Sequence, residues 1–87
     1  MTPAELIAEL KTLVLDAVEK SPPDGGLGDE EVLFGPESRL ALDSLDGLEI
    51  SMAVQERYGV RMTDSKATRR ALSSIAHLAR HLRQRNV

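Results

Sequence analysis

The sequence predicts an all-α domain, a small four-helix bundle of three main helices and one short helix, with a long loop between helices one and two. Several segments place apolar residues at three- and four-residue intervals, and none alternates as a strand does. With one Phe, one Tyr and no Trp, the core has to be aliphatic. At 87 residues, the chain forms one domain over 1–87, near the lower size limit for independent folding.

The first helix is predicted over about residues 3–20. Thr2 can cap it, Pro3 suits the first helical position, and Glu5 completes a capping box. The helix should end near its predicted limit because the SPPDGG segment that follows cannot continue it.

Residues 21–42 show no sustained period and are predicted to form the long loop, with one short turn around 29–33. Its apolar residues argue against disorder and should hold the loop across the bundle. They are Leu27, Val32, Leu33, Phe34, Leu40 and Leu42.

The second helix is predicted over about residues 44–58, with Asp43 as its N-cap and Gly59 as its C-terminal stop. At roughly 100° per residue, its core face consists of Gly47, Ile50, Val54 and Tyr58. A short third helix is predicted over about 65–70 and a last helix over about 73–85. Ser73 is the expected cap of the last helix, whose core stripe is Ile75, Leu78, Ala79 and Leu82.

The second helix carries apolar residues on two faces. Leu45, Leu48 and Met52 lie nearly opposite the core face, with Glu49 and Glu56 beside them. An exposed patch of this kind often marks a partner site, and flanking carboxylates attract basic partners. The alternative is that both faces are buried, one under the long loop. Of the three apolar residues, we expect Leu48 to be partly buried and Met52 to stay exposed.

Composition excludes several classes of protein. Without cysteine there is no disulfide framework, thiolate metal site or thiol nucleophile. No apolar run approaches the roughly 20 residues of a membrane span, and the polar N-terminus is not a secretory signal, so we expect a cytoplasmic protein.

Residues 1–56 hold 13 acidic and 3 basic side chains, whereas residues 57–87 hold 1 acidic and 8 basic ones. That asymmetry predicts two surfaces of opposite charge.

Ser44 falls in the first turn of the second helix, where serine is common for local reasons alone. A nucleophilic serine needs a base, but the two histidines, His77 and His81, lie on another helix and are predicted to face solvent. Four residues apart, they lack a third metal ligand, so no metal site is predicted. Ser44 therefore makes better sense as a residue modified by another protein's active site.

The motif Asp43-Ser44-Leu45-Asp46, followed by Glu49-Ile50, resembles the phosphopantetheine attachment site of acyl carrier proteins. The wider segment LFGPESRLALDSLDGLEISMAVQERYGV, the chain length, the central serine and the long first loop are similar to that family as well.

The resemblance implies a carrier rather than an enzyme. A carrier-protein transferase would attach 4′-phosphopantetheine to Ser44 from coenzyme A with magnesium, at a motif that includes Asp43 and Leu45. The arm's thiol would hold acyl groups as thioesters for acyl-loading, chain-elongating or acyl-transfer enzymes of fatty-acid, polyketide or related lipid metabolism. By analogy these partners dock on Leu45, Asp46, Leu48, Glu49, Met52 and Glu56. Leu48 would stand at the mouth of an acyl cavity, and the carrier would be a monomer.

Some positions depart from the pattern. Gly47 replaces the usual Thr, Ala or Ser and would leave room for the arm or its cargo. Arg57 and the basic residues from Arg61 to Arg70 stand where fatty-acid carriers are acidic, which favours a specialised acyl, polyketide or polyene pathway. The capped start suggests a stand-alone protein.

Two alternatives remain open at this point. A peptidyl or aminoacyl carrier would use the same serine chemistry with a different cargo. A small helical nucleic-acid-binding protein would use the basic C-terminal segment, but the net charge of -3 and the acidic front would repel phosphate.

Overall fold

The described residues of the protein form four helices. In a computed structural model that describes residues 2–62, 66–85 and 87, α1 spans Pro3–Ala17, α2 Ser44–Tyr58, α3 Lys66–Ala71 and α4 Ile75–Arg83. Helix α1 lies against both α2 and α4, and α3 lies against α4. The described residues contain no strand beyond one isolated bridge between Phe34 and Leu42. The predicted all-helical class is confirmed.

Helix α1 starts as predicted and ends earlier. The Glu5 N–H donates to Thr2 Oγ1 and the Thr2 N–H donates to Glu5 Oε1, both at 3.2 Å, which completes the capping box. The helix ends at Ala17 rather than at residue 20, because Glu19 takes a left-handed φ of 55°. The N–H of Lys20 then reaches the Leu15 carbonyl and that of Glu19 the Asp16 carbonyl, which is a Schellman motif formed without glycine.

The loop of residues 18–43, called here the long loop, is packed into the core. Leu27, Leu33, Leu40 and Leu42 are buried and Phe34 packs against them, as predicted. Val32 is an exception at 54 % exposure. The predicted short turn lies at 29–30, where the Glu31 N–H donates to the Gly28 carbonyl at 3.3 Å.

Hydrogen bonds hold residues 33–42 of the long loop in a compact turn. The buried Ser38 hydroxyl donates to the Leu33 carbonyl at 2.8 Å and accepts from the N–H groups of Leu40 and Ala41. The Leu42 N–H donates to the same Leu33 carbonyl at 3.2 Å. These bonds satisfy backbone groups that would otherwise be costly to bury.

The long loop is also held by the Arg39 side chain, which we call the Arg39 clamp. Its guanidinium donates to both Glu31 carboxylate oxygens at 2.6 and 2.8 Å, and to the carbonyls of Asp24 and Gly26. Glu31 also accepts from the Gly28 N–H at 2.9 Å. The hydrogen bonds from Arg39, and then that from Gly28, lower the pKa of Glu31 to about 2.

The last helix begins at Ile75, two residues after the predicted start at 73, and its cap lies one residue later than predicted. Ser74, not Ser73, is its N-cap, because the Ser74 hydroxyl accepts from the His77 N–H at 3.1 Å. The Ser73 hydroxyl instead donates to the Arg70 carbonyl at 2.7 Å. Helix α4 ends at Arg83 instead of 85, and its predicted stripe is buried: Ile75, Leu78, Ala79 and Leu82.

The short third helix runs one residue further than expected, to Ala71, and its predicted first residue, Ser65, lies outside the described residues. In the part of the chain that the structure covers, no helix has both the length and the apolar character needed to cross a membrane.

Candidate functional site at the start of helix α2

A reciprocal pair of aspartates sets the start of α2. The Asp46 N–H donates to Asp43 Oδ1 and the Asp43 N–H donates to Asp46 Oδ2, both at 3.0 Å. Asp43 is thus the N-cap, as predicted, and the pairing with Asp46 adds a capping box built from two carboxylates. The box fixes the backbone that carries Ser44 at the first helical position, where the side chain is exposed.

The first turn of α2 keeps free hydrogen-bonding groups around this serine. At the first two helical positions the N–H groups have no intrahelical acceptor. Among the described residues, nothing accepts from the N–H of Ser44 or Leu45, and the Ser44 hydroxyl has no partner. These donors and the positive end of the helix dipole favour an anion esterified to the hydroxyl.

One side of α2 presents apolar side chains to solvent. Leu45 is 64 % exposed, Leu48 56 % and Met52 54 %. Glu49 and Glu56 are exposed beside them, and Asp46 is half-buried. We call these six residues the α2 strip. The long loop does not cover it, so the alternative in which both faces of α2 are buried is wrong.

The core face of α2 is as predicted, with Ile50 and Val54 at 0 % exposure and with Gly47 and Tyr58 half-buried. The expectation that Leu48 would be partly buried is wrong, since Leu48 is as exposed as Met52. The space beside Gly47, which was expected to leave room for the arm or its cargo, is occupied by the aromatic ring of Phe34. A Cβ added at Gly47 would lie 3.5 Å from the Phe34 ring, so that ring, rather than open space, lies beside the glycine.

The far end of α2 is attached to α1 through Glu9. The Tyr58 hydroxyl donates to Glu9 Oε1 at 2.7 Å, and Arg57 Nε donates to the same oxygen at 3.0 Å. Burial, followed by the bond to Glu9, raises the pKa of Tyr58 to about 12. The bonds from Tyr58 and Arg57 lower the pKa of Glu9. No sequence spacing signals this contact, which joins residues far apart in the chain.

The histidines lie away from Ser44 and are more enclosed than predicted. His77 Nδ1 lies 2.6 Å from the hydroxyl of Ser74, which is buried and serves as the α4 cap. His81 is half-buried, and burial, with a smaller contribution from Arg85, lowers its pKa. Ser74 therefore caps α4 and contacts His77 within the first turn of the same helix. Within the described ranges, no three His, Asp or Glu side chains are grouped closely enough for a metal ion.

Comparison of the chain with protein-family models, with curated proteins and with solved structures finds no match in any of the three. The resemblance to acyl carrier proteins therefore depends on the short motif around Ser44 and on the order of the helices.

Proposed function

We propose that this protein is an acyl carrier protein in which Ser44 carries a 4′-phosphopantetheine arm and the α2 strip receives partner enzymes. One observation carries the proposal. An exposed serine hydroxyl stands at the first position of a capped helix, directly beside an exposed apolar strip with carboxylates along it.

The surroundings of Ser44 fit the phosphate end of such an arm. Its ester carries negative charge, and the N–H groups of Ser44 and Leu45 are available as donors among the described residues. A negative group at a helix N-terminus gains about 0.3–1 kcal/mol from the helix dipole. When bound, the arm supplies the thiol for thioester chemistry, which a chain without cysteine lacks.

The chain's own residues hold the attachment point still and leave it accessible. The Asp43–Asp46 box fixes the backbone on either side of Ser44. Because no histidine contacts the hydroxyl in the described structure, the base that removes its proton has to come from the transferase. That division of roles suits a substrate protein rather than an enzyme.

The α2 strip fits repeated, reversible docking. Full burial of a Leu or Met side chain is worth roughly 1.5–3 kcal/mol, and each apolar residue of the strip is more than half exposed. The carboxylates at Asp46, Glu49 and Glu56 would steer basic partners and orient them. The partners we propose are a carrier-protein transferase and the enzymes that load, elongate or transfer acyl groups, in a specialised biosynthetic pathway.

The attachment is tested by mass spectrometry. The purified protein is incubated with coenzyme A, magnesium and a broad-specificity carrier-protein transferase, and then weighed intact and after proteolysis. We expect one arm per chain on the peptide that contains Ser44, and none on the Ser44→Ala variant. Ser21→Ala, which removes another exposed serine, should be modified like the wild type. A folded wild-type protein that gains no arm, or a Ser44→Ala variant that still gains one, contradicts the proposal.

A further inference from the structure

The two C-terminal helices carry basic side chains and no acidic ones. Residues 66–87 contain no Asp or Glu, and their basic residues are Lys66, Arg69, Arg70, Arg80, Arg83 and Arg85. This part of the chain is therefore uniformly cationic, whereas residues 1–56 are strongly acidic.

A surface groove lies between α3 and α4 within this region, and we call it the cationic groove. Small side chains from α3, Ala67 and Ala71, line it together with Arg70, His77 and Arg80. Ala71 is buried, while Arg70 and Arg80 are exposed. The groove therefore combines a small apolar surface with two exposed guanidinium groups. None of its lining residues belongs to the α2 strip.

The arginines of the cationic groove differ from the basic residues that form salt bridges, although Arg61 and Arg83 likewise have no carboxylate partner among the described residues. Lys11, Arg39 and Arg57 each form a salt bridge with a carboxylate. In the ranges that the structure describes, the guanidinium groups of Arg70 and Arg80 contact no carboxylate and donate no hydrogen bond. An anion bound in the groove would therefore meet two guanidinium groups that have no other carboxylate partner among the described residues.

We propose that the cationic groove is a second docking surface, which binds a short acidic segment of a partner protein. Carboxylates of such a segment would pair with Arg70 and Arg80, and a planar guanidinium suits a carboxylate in a bidentate contact. A small or aliphatic side chain of the segment would pack on Ala67 and Ala71. This docking does not require Ser44 to be modified.

Charge distribution favours a short segment over a long nucleic acid. Residues 1–56 carry 13 acidic and 3 basic side chains, and the molecule measures only 31 × 27 × 19 Å. Screening in physiological salt acts over about 8 Å, so a polyanion that extends past the groove would meet acidic surface.

A lipid surface fits less well, because peripheral membrane binding uses large apolar side chains next to the cationic ones. The exposed large apolar residues of the described structure are Val32, Leu45, Leu48 and Met52, and none lies on α3 or α4.

The test measures binding of a fluorescein-labelled peptide of alternating Glu and Ala by fluorescence anisotropy at physiological salt. The Arg70→Glu/Arg80→Glu double variant should raise the Kd at least about tenfold, because two charge-assisted contacts are lost. The matched control is Lys20→Glu/Arg61→Glu, which makes the same charge change at exposed positions outside the groove and should alter the Kd by less than about twofold. A peptide of alternating Gln and Ala should not bind.

Backbone amide shifts of the isotope-labelled protein locate the site, and we expect them to change within α3 and α4. They should change equally in Ser44→Ala, so failure of arm attachment would leave this inference standing. If both double variants weaken binding equally, or if the shifts lie elsewhere, the groove is not the site. Tighter binding to duplex DNA or to phosphatidylserine vesicles than to the acidic peptide would also overturn the proposal.

Discussion

The leucines of the long loop are buried, whereas two leucines of α2 are exposed to solvent. The loop has no helical period, yet Leu27, Leu33, Leu40 and Leu42 are all buried in the core. Helix α2 is regular, yet Leu45 and Leu48 are more than half exposed. Regular secondary structure thus does not decide which leucines are buried in this protein.

The direction of the loop explains the difference. Its backbone is bonded to the start of α4, through the Ala76 N–H to the Asp29 carbonyl at 2.7 Å and the Leu33 N–H to the Ser73 carbonyl at 3.3 Å. A loop of this length could have covered the α2 strip, but these bonds direct it elsewhere. The exposed strip is therefore not the result of too little chain, which strengthens its interpretation as a docking surface.

The largest effect on stability is expected from truncating a buried leucine of the long loop. Leu33→Ala should lower the free energy of unfolding by about 2–5 kcal/mol, because Leu33 is fully buried and its truncation leaves a cavity. Leu48→Ala makes the same chemical change at an exposed position and should cost no more than about 0.5 kcal/mol. Urea denaturation followed by circular dichroism measures both. Similar losses in the two variants would mean that the strip belongs to the core.

Local signals made much of this arrangement predictable from the sequence. Caps at Thr2 and Asp43 were correctly predicted because capping depends on residues within one turn. Helical periodicity assigned Ile50 and Val54 to the core face, and it placed Met52 on the opposite side.

The errors arise where tertiary contacts or backbone geometry outweigh local pattern. The early end of α1 depends on a left-handed Glu19, and glycine is the usual signal for that geometry. Between the adjacent serines Ser73 and Ser74, only the packed structure decides which one caps α4. The Arg39 clamp joins residues up to fifteen positions apart through backbone carbonyls, which no sequence pattern marks.

A smaller effect tests how the clamp holds the loop. Glu31→Gln should destabilise the protein at neutral pH, because the charged carboxylate is bound by Arg39. Its pKa is lowered from 4.5 to about 2 in the folded state, so this stabilisation is complete above about pH 4.5 and is lost as the pH falls towards 2. Thermal melting across this range should show the difference from the wild type shrinking as the pH falls.

The control for this titration is Glu30→Gln, which removes a neighbouring exposed carboxylate that the Arg39 clamp does not use. A difference between wild type and Glu31→Gln that persists unchanged at pH 2 would show that the clamp acts through shape and not through charge.

A change at a half-buried position on the core face of α2 should be stabilising. Gly47→Ala should raise the free energy of unfolding by about 0.5–1 kcal/mol, because alanine is the better helix former. The added Cβ would lie 3.5 Å from the Phe34 ring, which is an ordinary contact. Gly59→Ala is the opposite control and should destabilise, since Gly59 ends α2 with a φ of 70°. If Gly47→Ala also destabilises, the Phe34 ring cannot accommodate a methyl group.

The smallest effect on stability is expected from a substitution in the α2 strip. The same substitution should nevertheless slow the reactions of partner enzymes. Met52→Glu should change the free energy of unfolding by no more than about 0.5 kcal/mol, because the side chain is 54 % exposed. It should slow arm attachment to Ser44 by the transferase, or acyl transfer by a partner enzyme, by reducing apolar contact in the docked complex.

Val32→Glu is the matched control, since Val32 has the same 54 % exposure but lies in the long loop, outside the strip. Equal slowing in both variants would indicate a general response to added charge, and loss of the fold in Met52→Glu would place Met52 in the core. Slowing confined to Met52→Glu would mean that a partner distinguishes two equally exposed apolar residues, and only a defined docking surface on α2 accounts for that distinction.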